Sequence, residues 1–432
     1  MKIEATPRNR AGELALEIYR RTLEQVRGDR LVREHVQLNG RHLLIDDLSY
    51  HLSDFDRIVV AGAGKASVAM AQGLEQVLGS LIHDGLIITK HGHSEPLQFC
   101  QVMEASHPVP GEDSLAAGQE MLKFADRYSG ERNLVLFVLS GGASALMEAP
   151  VDGISLDDLQ AVNRKLLASG ATILTFNAIR SPLSQIKAGG LVKAFGDATV
   201  VVLVMSDVEG DRLNVIGSGP FVVGSAEPET ESLMRAFELD SLPAQVQVRL
   251  KEPQVQIGSR QPEHRIIGNA RLMGECAVEV AKDLGLRCEG SLPMEGEARD
   301  YPGFLAAKKL FPSERADCVI AVGEPIATVK GAGLGGRAQE MACVFAEMIQ
   351  GQDETAVLVA GSDGTDGPTD AAGALVDGNT VQRAMDLGDS VAETLERSDS
   401  YRFHEAAGTL IKSGPTGTNL NDLMIYVRAG EP

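Results

Sequence analysis

The chain has 432 residues, 60 acidic against 40 basic side chains, and a formal net charge of -20. An acidic surface without a Lys/Arg cluster excludes nucleic acid and anionic membrane as natural partners, no apolar run reaches membrane-spanning length, and five scattered cysteines with no CxxC pair exclude a zinc-site signature. The length allows two or three domains with real cores, and the polar start from Met1 to Gly12, with cysteines read as reduced thiols, gives a cytoplasmic expectation.

In chain order, Ala11 to Val26 reads as an amphipathic helix. Arg57 to Ala61 is a short apolar strand that runs into Gly62-Ala-Gly-Lys65, and a small-residue helix follows from Ala66 to Leu78. This is a strand, glycine turn, helix unit. Leu86 to Thr89 reads as the next strand and Ser114 to Tyr128 as a helix. The continuous apolar run Leu134 to Leu139 is typical of a buried parallel strand and ends in Ser140-Gly-Gly-Ala-Ser144. Leu156 to Ser169 is helical in pattern, and Thr199 to Met205 is another buried strand leading into Ser206-Asp207.

Arg265 to Ile267 feeds Gly268-Asn269 and a helix from Ala270 to Leu284. Leu286 to Cys288, Cys318 to Val322, Ile326 to Val329, Thr355 to Ala360 and Leu423 to Val427 are read as strands, and Gln339 to Ile349 and Thr380 to Leu387 as helices. The alternation predicts the α/β class, as two Rossmann-like three-layer domains. The larger spans residues 1–290, with the final strand or helix of the chain free to return to it, and the second spans 300–432. Ser241 to Glu263 is weakly patterned and reads as an excursion or domain edge.

The glycine-dense loops at strand ends let backbone N–H groups approach an anion. Lys65, at a strand-to-helix turn, has reach to a bound phosphate, although the GxxxxGK[ST] spacing of a P-loop is missing. Ser140, Gly141, Gly142 and Ser144 resemble a phosphate cradle by composition. Arg180, Lys187 and Lys193 surround a double glycine and suit a carboxylate or a phosphoryl group. Asp207 and Asp211, four apart after a buried strand, suit a magnesium ion. Glu324, Arg337 and Asp363 mark a second set, and Asp363, Asp366 and Asp370 fail the calcium-loop spacing. His91, His93 and His107 carry a weak metal signal, with His107-Pro-Val-Pro110 read as a rigid loop.

Taken together these stretches resemble the glycerate kinases that carry a C-terminal MOFRL domain. The matching motifs are Gly62-Ala-Gly-Lys-Ala66, Ser106-His-Pro-Val-Pro110, Ser140 to Leu146, Asn177 to Gly190, Ser206 to Asp211 and Gly217-Ser-Gly-Pro220. They continue with Gly323-Glu324, Gly333 to Glu340, Asp363 to Asp370 and Gly414 to Asn419. Departures from the family pattern stand at Ala143, Ser181-Pro182, Phe221, Pro325 and Ala338, of which Ser181, Pro182 and Ala338 bear on the acceptor.

The resemblance implies an active site in a cleft between two domains, with ATP and Mg²⁺, and phosphorylation of D-glycerate to 2-phosphoglycerate. It assigns transfer to Lys65 and Arg337, and Asp207 is expected beside them as a catalytic residue that orients Mg²⁺ or polarises the acceptor hydroxyl. It places the nucleotide at Gly62, Gly64, Ser140, Gly141, Gly142, Ser144, Gly268 and Asn269. Glycerate falls to Arg180, Lys187, Glu324 and Asp363, and the metal to Asp207 and Asp211. A homo-oligomer is compatible with the sequence. The alternatives are a kinase giving 3-phosphoglycerate or acting on another short hydroxy acid such as hydroxypyruvate, a Rossmann oxidoreductase, and a non-catalytic sugar-acid binding protein. Ala66 and Ser67 stand where the second half of GxGxxG would be.

Overall fold

The computed structural model describes residues 2–168, 173–223, 232–234, 237, 241–251, 261–311 and 316–430. The chain divides into two compact units, one of residues 28–267 and one of residues 1–27 with 268–432.

In the first unit, a three-stranded antiparallel meander is made by β1 (Val36–Asn39), β2 (His42–Ile45) and β3 (Leu48–His51). The main sheet holds β4 (Arg57–Ala63), β5 (Ile82–Lys90), β6 (Gln101–Ala105), β7 (Asn133–Leu139), β8 (Thr199–Met205) and β9 (Glu263–Gly268), in the order β6-β5-β4-β7-β8-β9. The pairs from β6 through β8 are parallel. Every residue of β7 is buried, as a central strand covered on both faces requires. Phe137, Phe195 and Phe221 fill the core on one face, with the Phe137 and Phe221 ring centroids 4.7 Å apart. The weakly patterned stretch Ser241 to Glu263 contains a helix, Ala244–Lys251, and its residues 252–260 lie outside the described ones. Ser169, the expected end of the Leu156 helix, also lies outside them; the described helix is Leu156–Ala168.

The second unit has a mixed sheet of β10 (Ser291–Met294), β11 (Cys318–Gly323), β12 (Thr355–Gly361), β13 (Gly373–Asp377), β14 (Leu410–Ile411) and β15 (Asp422–Arg428). The order is β10-β11-β15-β12-β13-β14, with β10 and β11 parallel and the other pairs antiparallel. Both units are therefore α/β.

The structure moves the expected boundary. The helix Arg10–Gln25 packs on β12, β15 and the helix Ala270–Asp283, and Tyr19 donates its hydroxyl to the Gly361 carbonyl at 2.8 Å. The first 27 residues thus belong with the C-terminal unit, which begins again at Gly268 rather than near residue 300. The chain's final strand, β15, sits inside the second sheet between β11 and β12 and does not return to the first.

Two expected strands are absent among the described residues. Leu286 to Cys288 lies ahead of β10, and Ile326 to Val329 forms only an isolated bridge from Ile326 to Glu297. Ile326 and Val329 are 61% and 75% exposed. A run that pairs at Ile326 alone does not extend into a ladder, so propensity by itself does not make it a strand.

Candidate active site

In the first unit the Lys65 and Ser140–Ser144 turns lie where β4 and β7 end side by side, Ala63 being paired with Leu139. Ligands in open parallel sheets collect at such carboxyl ends. Gly64, at φ 134°, lets the two turns touch. A side chain there would collide with the hydroxyl and carbonyl of Ser140. Ser140 is fully buried, and its hydroxyl accepts the Ala66 N–H at 3.0 Å. The Lys65 N–H goes to the Gly141 carbonyl at 3.0 Å and the Gly64 N–H to the Ile88 carbonyl at 3.1 Å. The amides of the Gly62–Ala66 turn are thus committed inside the protein.

The next turn is different. The amides of Gly141 and Gly142 have no hydrogen-bond partner among the described residues. Gly142, at φ 88°, presents a bare backbone to two side chains. The space its Cβ would fill lies 3.1 Å from Cδ2 of His107 and 3.4 Å from Cγ of Lys65. A lysine stem and an imidazole therefore meet over unpaired backbone donors, an arrangement suited to an anion.

Behind this turn stands a buried ion cluster. Glu148 accepts the Lys187 ammonium at 2.6 Å and the Ser184 hydroxyl at 2.6 Å, with Arg180 at 3.7 Å. Lys187 has no exposed side-chain surface, and its ammonium also donates to the Ser144 carbonyl at 3.0 Å. Burial pushes the Lys187 ammonium down to about 8, opposed by the charge of Glu148. Burial pushes the Glu148 carboxyl up, but Lys187 and Arg180 together bring it below its ordinary value. At neutral pH this is a charged pair facing inward.

In the second unit Arg337 opens the helix Arg337–Met348. Its Nε and Nη2 reach Asp422 at 2.6 and 3.2 Å, and its Nη1 reaches Glu324 at 2.6 Å. Asn421 donates to the other oxygen of Glu324 at 3.2 Å. Burial lowers the Arg337 pKa, yet Asp422 and Glu324 raise it further, so the guanidinium is permanently charged. Burial raises the Asp422 carboxyl, against the pull of Arg337. Asp366 caps the same helix by accepting the Ala338 and Gln339 amides at 3.1 and 2.8 Å. Burial and the neighbouring Asp422 push its carboxyl up to about 7.

Residues 14–251 match the model of a domain of unknown function, DUF4147, and residues 317–422 match the MOFRL family. The D-glycerate 2-kinase of Thermotoga maritima is 37% identical over 423 residues, 96% of this chain and 97% of the relative. The chain belongs to the glycerate kinase family with a C-terminal MOFRL domain. A crystal structure of glycerate kinase from Thermotoga maritima superposes with a TM-score of 0.81 at 35% identity, covering 97% of this chain and 99% of that one. A relative from Agrobacterium vitis with a provisional hydroxypyruvate reductase name is 36% identical over 383 residues, 85% of this chain and 86% of the relative.

The family motifs fall unevenly on the two clusters. Lys65, Gly141, Gly142 and Ser144 come together in the first unit, and Arg337 and Glu324 in the second. Asp363 lies after β12, where its Oδ1 accepts the Thr365 amide at 2.9 Å. Asp207 and Asp211 follow β8, Asp211 at φ 51° in a tight turn. Asn269 caps the helix Ala270–Asp283 by accepting the Leu272 amide at 2.9 Å, which commits its side-chain oxygen, and Gly268 is the last residue of β9. Lys187 faces inward onto Glu148 at 2.6 Å, and Arg180 stands 3.7 Å from the same carboxylate. The Gly331–Gly336 loop, expected to approach an anion, lies against residues 397–400: the Gly333 amide donates to the Arg397 carbonyl and the Leu334 amide to Asp399, both at 2.9 Å.

Three departures from the family pattern also find a place. Phe221 is a core ring, Ala338 is fully buried in the first helical turn, and Pro182 gives its carbonyl to Arg249 at 3.1 Å. Sequence reasoning missed Glu148 and Asp422 and undervalued His107. A lone carboxylate in an apolar stretch was the available signal for the first two, since a buried charge demands a partner. No signal in the sequence brings His107 to Gly142.

Proposed function

We propose that the protein transfers the γ-phosphoryl group of ATP to the 2-hydroxyl of D-glycerate, giving 2-phosphoglycerate and ADP. The observation that carries this reading is the meeting of Lys65 and His107 over the unpaired Gly141 and Gly142 amides, in a chain similar along almost its whole length to a D-glycerate 2-kinase. In the transfer, the hydroxyl oxygen of glycerate forms a bond to the γ-phosphorus. The bond from that phosphorus to the β-γ bridging oxygen breaks, ADP leaves with the electron pair, and the hydroxyl proton passes to the Asp207 carboxylate. The protein's part in such a reaction is positioning and charge stabilisation.

The Gly141–Ser144 turn and Lys65 hold phosphate oxygens. Arg180 takes the glycerate carboxylate, Arg337 stabilises charge on the moving phosphoryl, and Asp207 polarises the acceptor hydroxyl. Asp422 and Glu324 hold the Arg337 fork, with Asn421 bracing Glu324, and Asp363 lines the acceptor side. Asp207 and Asp211 supply the oxygen donors that magnesium prefers. No group of three or more metal-binding side chains converges among the described residues; magnesium is commonly held by one or two carboxylates together with substrate phosphates and waters. The ion would offset negative charge on the nucleotide phosphates.

The oxidoreductase alternative is less well supported. A dinucleotide site needs free amides in the turn after its first strand, and here the Gly64, Lys65 and Ala66 amides are all taken. No helix among the described residues is long and apolar enough to cross a membrane. We assign the protein to the cytoplasm, with a homo-oligomer compatible with its sequence.

The deciding experiment incubates the protein with D-glycerate, ATP and Mg²⁺, then adds enolase without phosphoglycerate mutase. Immediate phosphoenolpyruvate formation supports 2-phosphoglycerate as product. A response that needs the mutase means 3-phosphoglycerate, and absence of ADP release refutes the kinase reading for this acceptor.

A further inference from the structure

Asn177, on the helix Ile173–Arg180, is 3% exposed. Its Oδ1 accepts the Ser218 hydroxyl at 2.9 Å, while its Nδ2 is buried with no hydrogen-bond partner among the described residues. Ser218 Oγ in turn lies 2.8 Å from Ser144 Oγ. A hydroxyl has one proton to give. With the Ser218 proton given to Asn177, Ser144 must donate to Ser218, and Ser144 then presents only lone pairs elsewhere.

Rotating the Asn177 amide by half a turn exchanges its oxygen and nitrogen. Nδ2 then donates to Ser218, Ser218 donates to Ser144, and the Ser144 proton is released for another acceptor. Each arrangement leaves one amide atom unpaired, Nδ2 in the first and Oδ1 in the second. Internal pairing therefore does not lock the direction, and a ligand that prefers one arrangement selects it.

The heavy atoms are held while the protons remain free to reorder. Ser218 sits at φ 62°, and its carbonyl accepts the Ala188 amide at 3.0 Å. The adjacent Gly217 packs its backbone near Leu139 and Ala143. Ser144 is fixed by the Lys187 ammonium at its carbonyl, 3.0 Å away.

We propose that Asn177, acting through Ser218, decides whether Ser144 offers a hydrogen-bond donor to a phosphate oxygen of the nucleotide. The inference rests on the reading of the Gly141–Ser144 turn as the phosphate-holding turn. Asn177 is a positioning residue: it acts on the ligand only through two hydroxyls.

The test is the dissociation constant of MgATP, measured by calorimetry on the full chain. Asn177→Asp can only accept, so it locks Ser144 as a donor to Ser218, and ATP binding should weaken about tenfold. Ser144→Ala should weaken it by a similar factor. Adding Asn177→Asp to Ser144→Ala should cost less than about twofold more, because residues in one relay are not additive. The added charge alone would act in both backgrounds, so equal losses in both, or no loss in either, overturns the proposal.

If Asn177→Asp does not fold, Ser218→Ala replaces it. That variant frees the Ser144 proton and should keep binding within about threefold, and a loss as large as that of Ser144→Ala overturns the proposal. Turnover of D-glycerate by the unsubstituted protein is measured in the same preparation. ATP binding without glycerate turnover removes the acceptor assignment and leaves the coupling result standing; no ATP binding at all removes both.

Discussion

Arg337 lays two nitrogens of its guanidinium across Asp422, while its third contacts Glu324 at 2.6 Å. A carboxylate held this way fixes the plane of the fork as well as its charge. Arg337→Lys keeps the charge and loses the plane, so kcat for phosphoryl transfer should fall about 100-fold, the scale of one transition-state donor. A variant retaining more than half the kcat would remove Arg337 from the transfer step.

The Glu148–Lys187 pair is buried, 2.6 Å apart. With Lys187 wholly buried, Glu148→Leu leaves an ammonium without its counter-charge and should destabilise the protein by about 3–5 kcal/mol. The double change Glu148→Leu with Lys187→Met should recover much of that loss. Urea unfolding of the parent, Glu148→Leu and the double variant checks the order, and a double variant less stable than Glu148→Leu contradicts it.

His404 gives the second unit a pH dependence. It is fully buried, with Nε2 at 2.8 Å from the Gln339 carbonyl and Nδ1 at 2.8 Å from the Thr409 hydroxyl. Cys343 Sγ lies 3.3 Å from Nε2 and stays a neutral thiol, since burial pushes its pKa well up. Burial pushes the imidazole down to about 4 from 6.5, opposed by the bond to Gln339. The unfolded chain therefore takes up this proton first. The contribution is full above about pH 6.5 and is lost as the pH falls toward 4, amounting to about 3 kcal/mol. His404→Gln should remove this contribution and leave the oppositely signed dependence of Asp366, whose raised pKa spans the same window; a slope equal to the parent's would contradict the assignment.

Gly64 is a packing requirement as much as a loop residue. Its φ of 134° and its contact with Ser140 leave no room for a methyl group. Gly64→Ala should cost about 1–3 kcal/mol of stability and, by parting the two turns, weaken ATP binding. Thermal unfolding and nucleotide titration measure the two effects separately. A variant as stable as the parent would show that the turns yield easily.

Most elements were readable because strong patterns decide them locally. The all-apolar run of β7 can only be buried, and the Lys65 and Ser140 turns follow directly from the strands they end. Glu148 and Asp422 were less visible. Each is one acid beside an apolar segment, and its partners, Lys187 and Arg337, lie 39 and 85 positions away in sequence. The strand expected at Ile326 to Val329 failed for the opposite reason: its residues favour extended backbone, but among the described residues only Ile326 is paired, in a bridge to Glu297.

By itself the sequence determined the α/β class, the order of the turns and the family, because hydrophobic period, glycine placement and motif order are local or one-dimensional properties. Only the tertiary structure decided where each charge lies. Lys187 and Lys65 look alike in sequence, yet one is enclosed against Glu148 and the other runs over Gly142. It also decided that the first helix belongs with the last strand, with Tyr19 bonded to Gly361. Burial and long-range pairing depend on what the folded chain brings alongside a residue, and residue type does not carry that information.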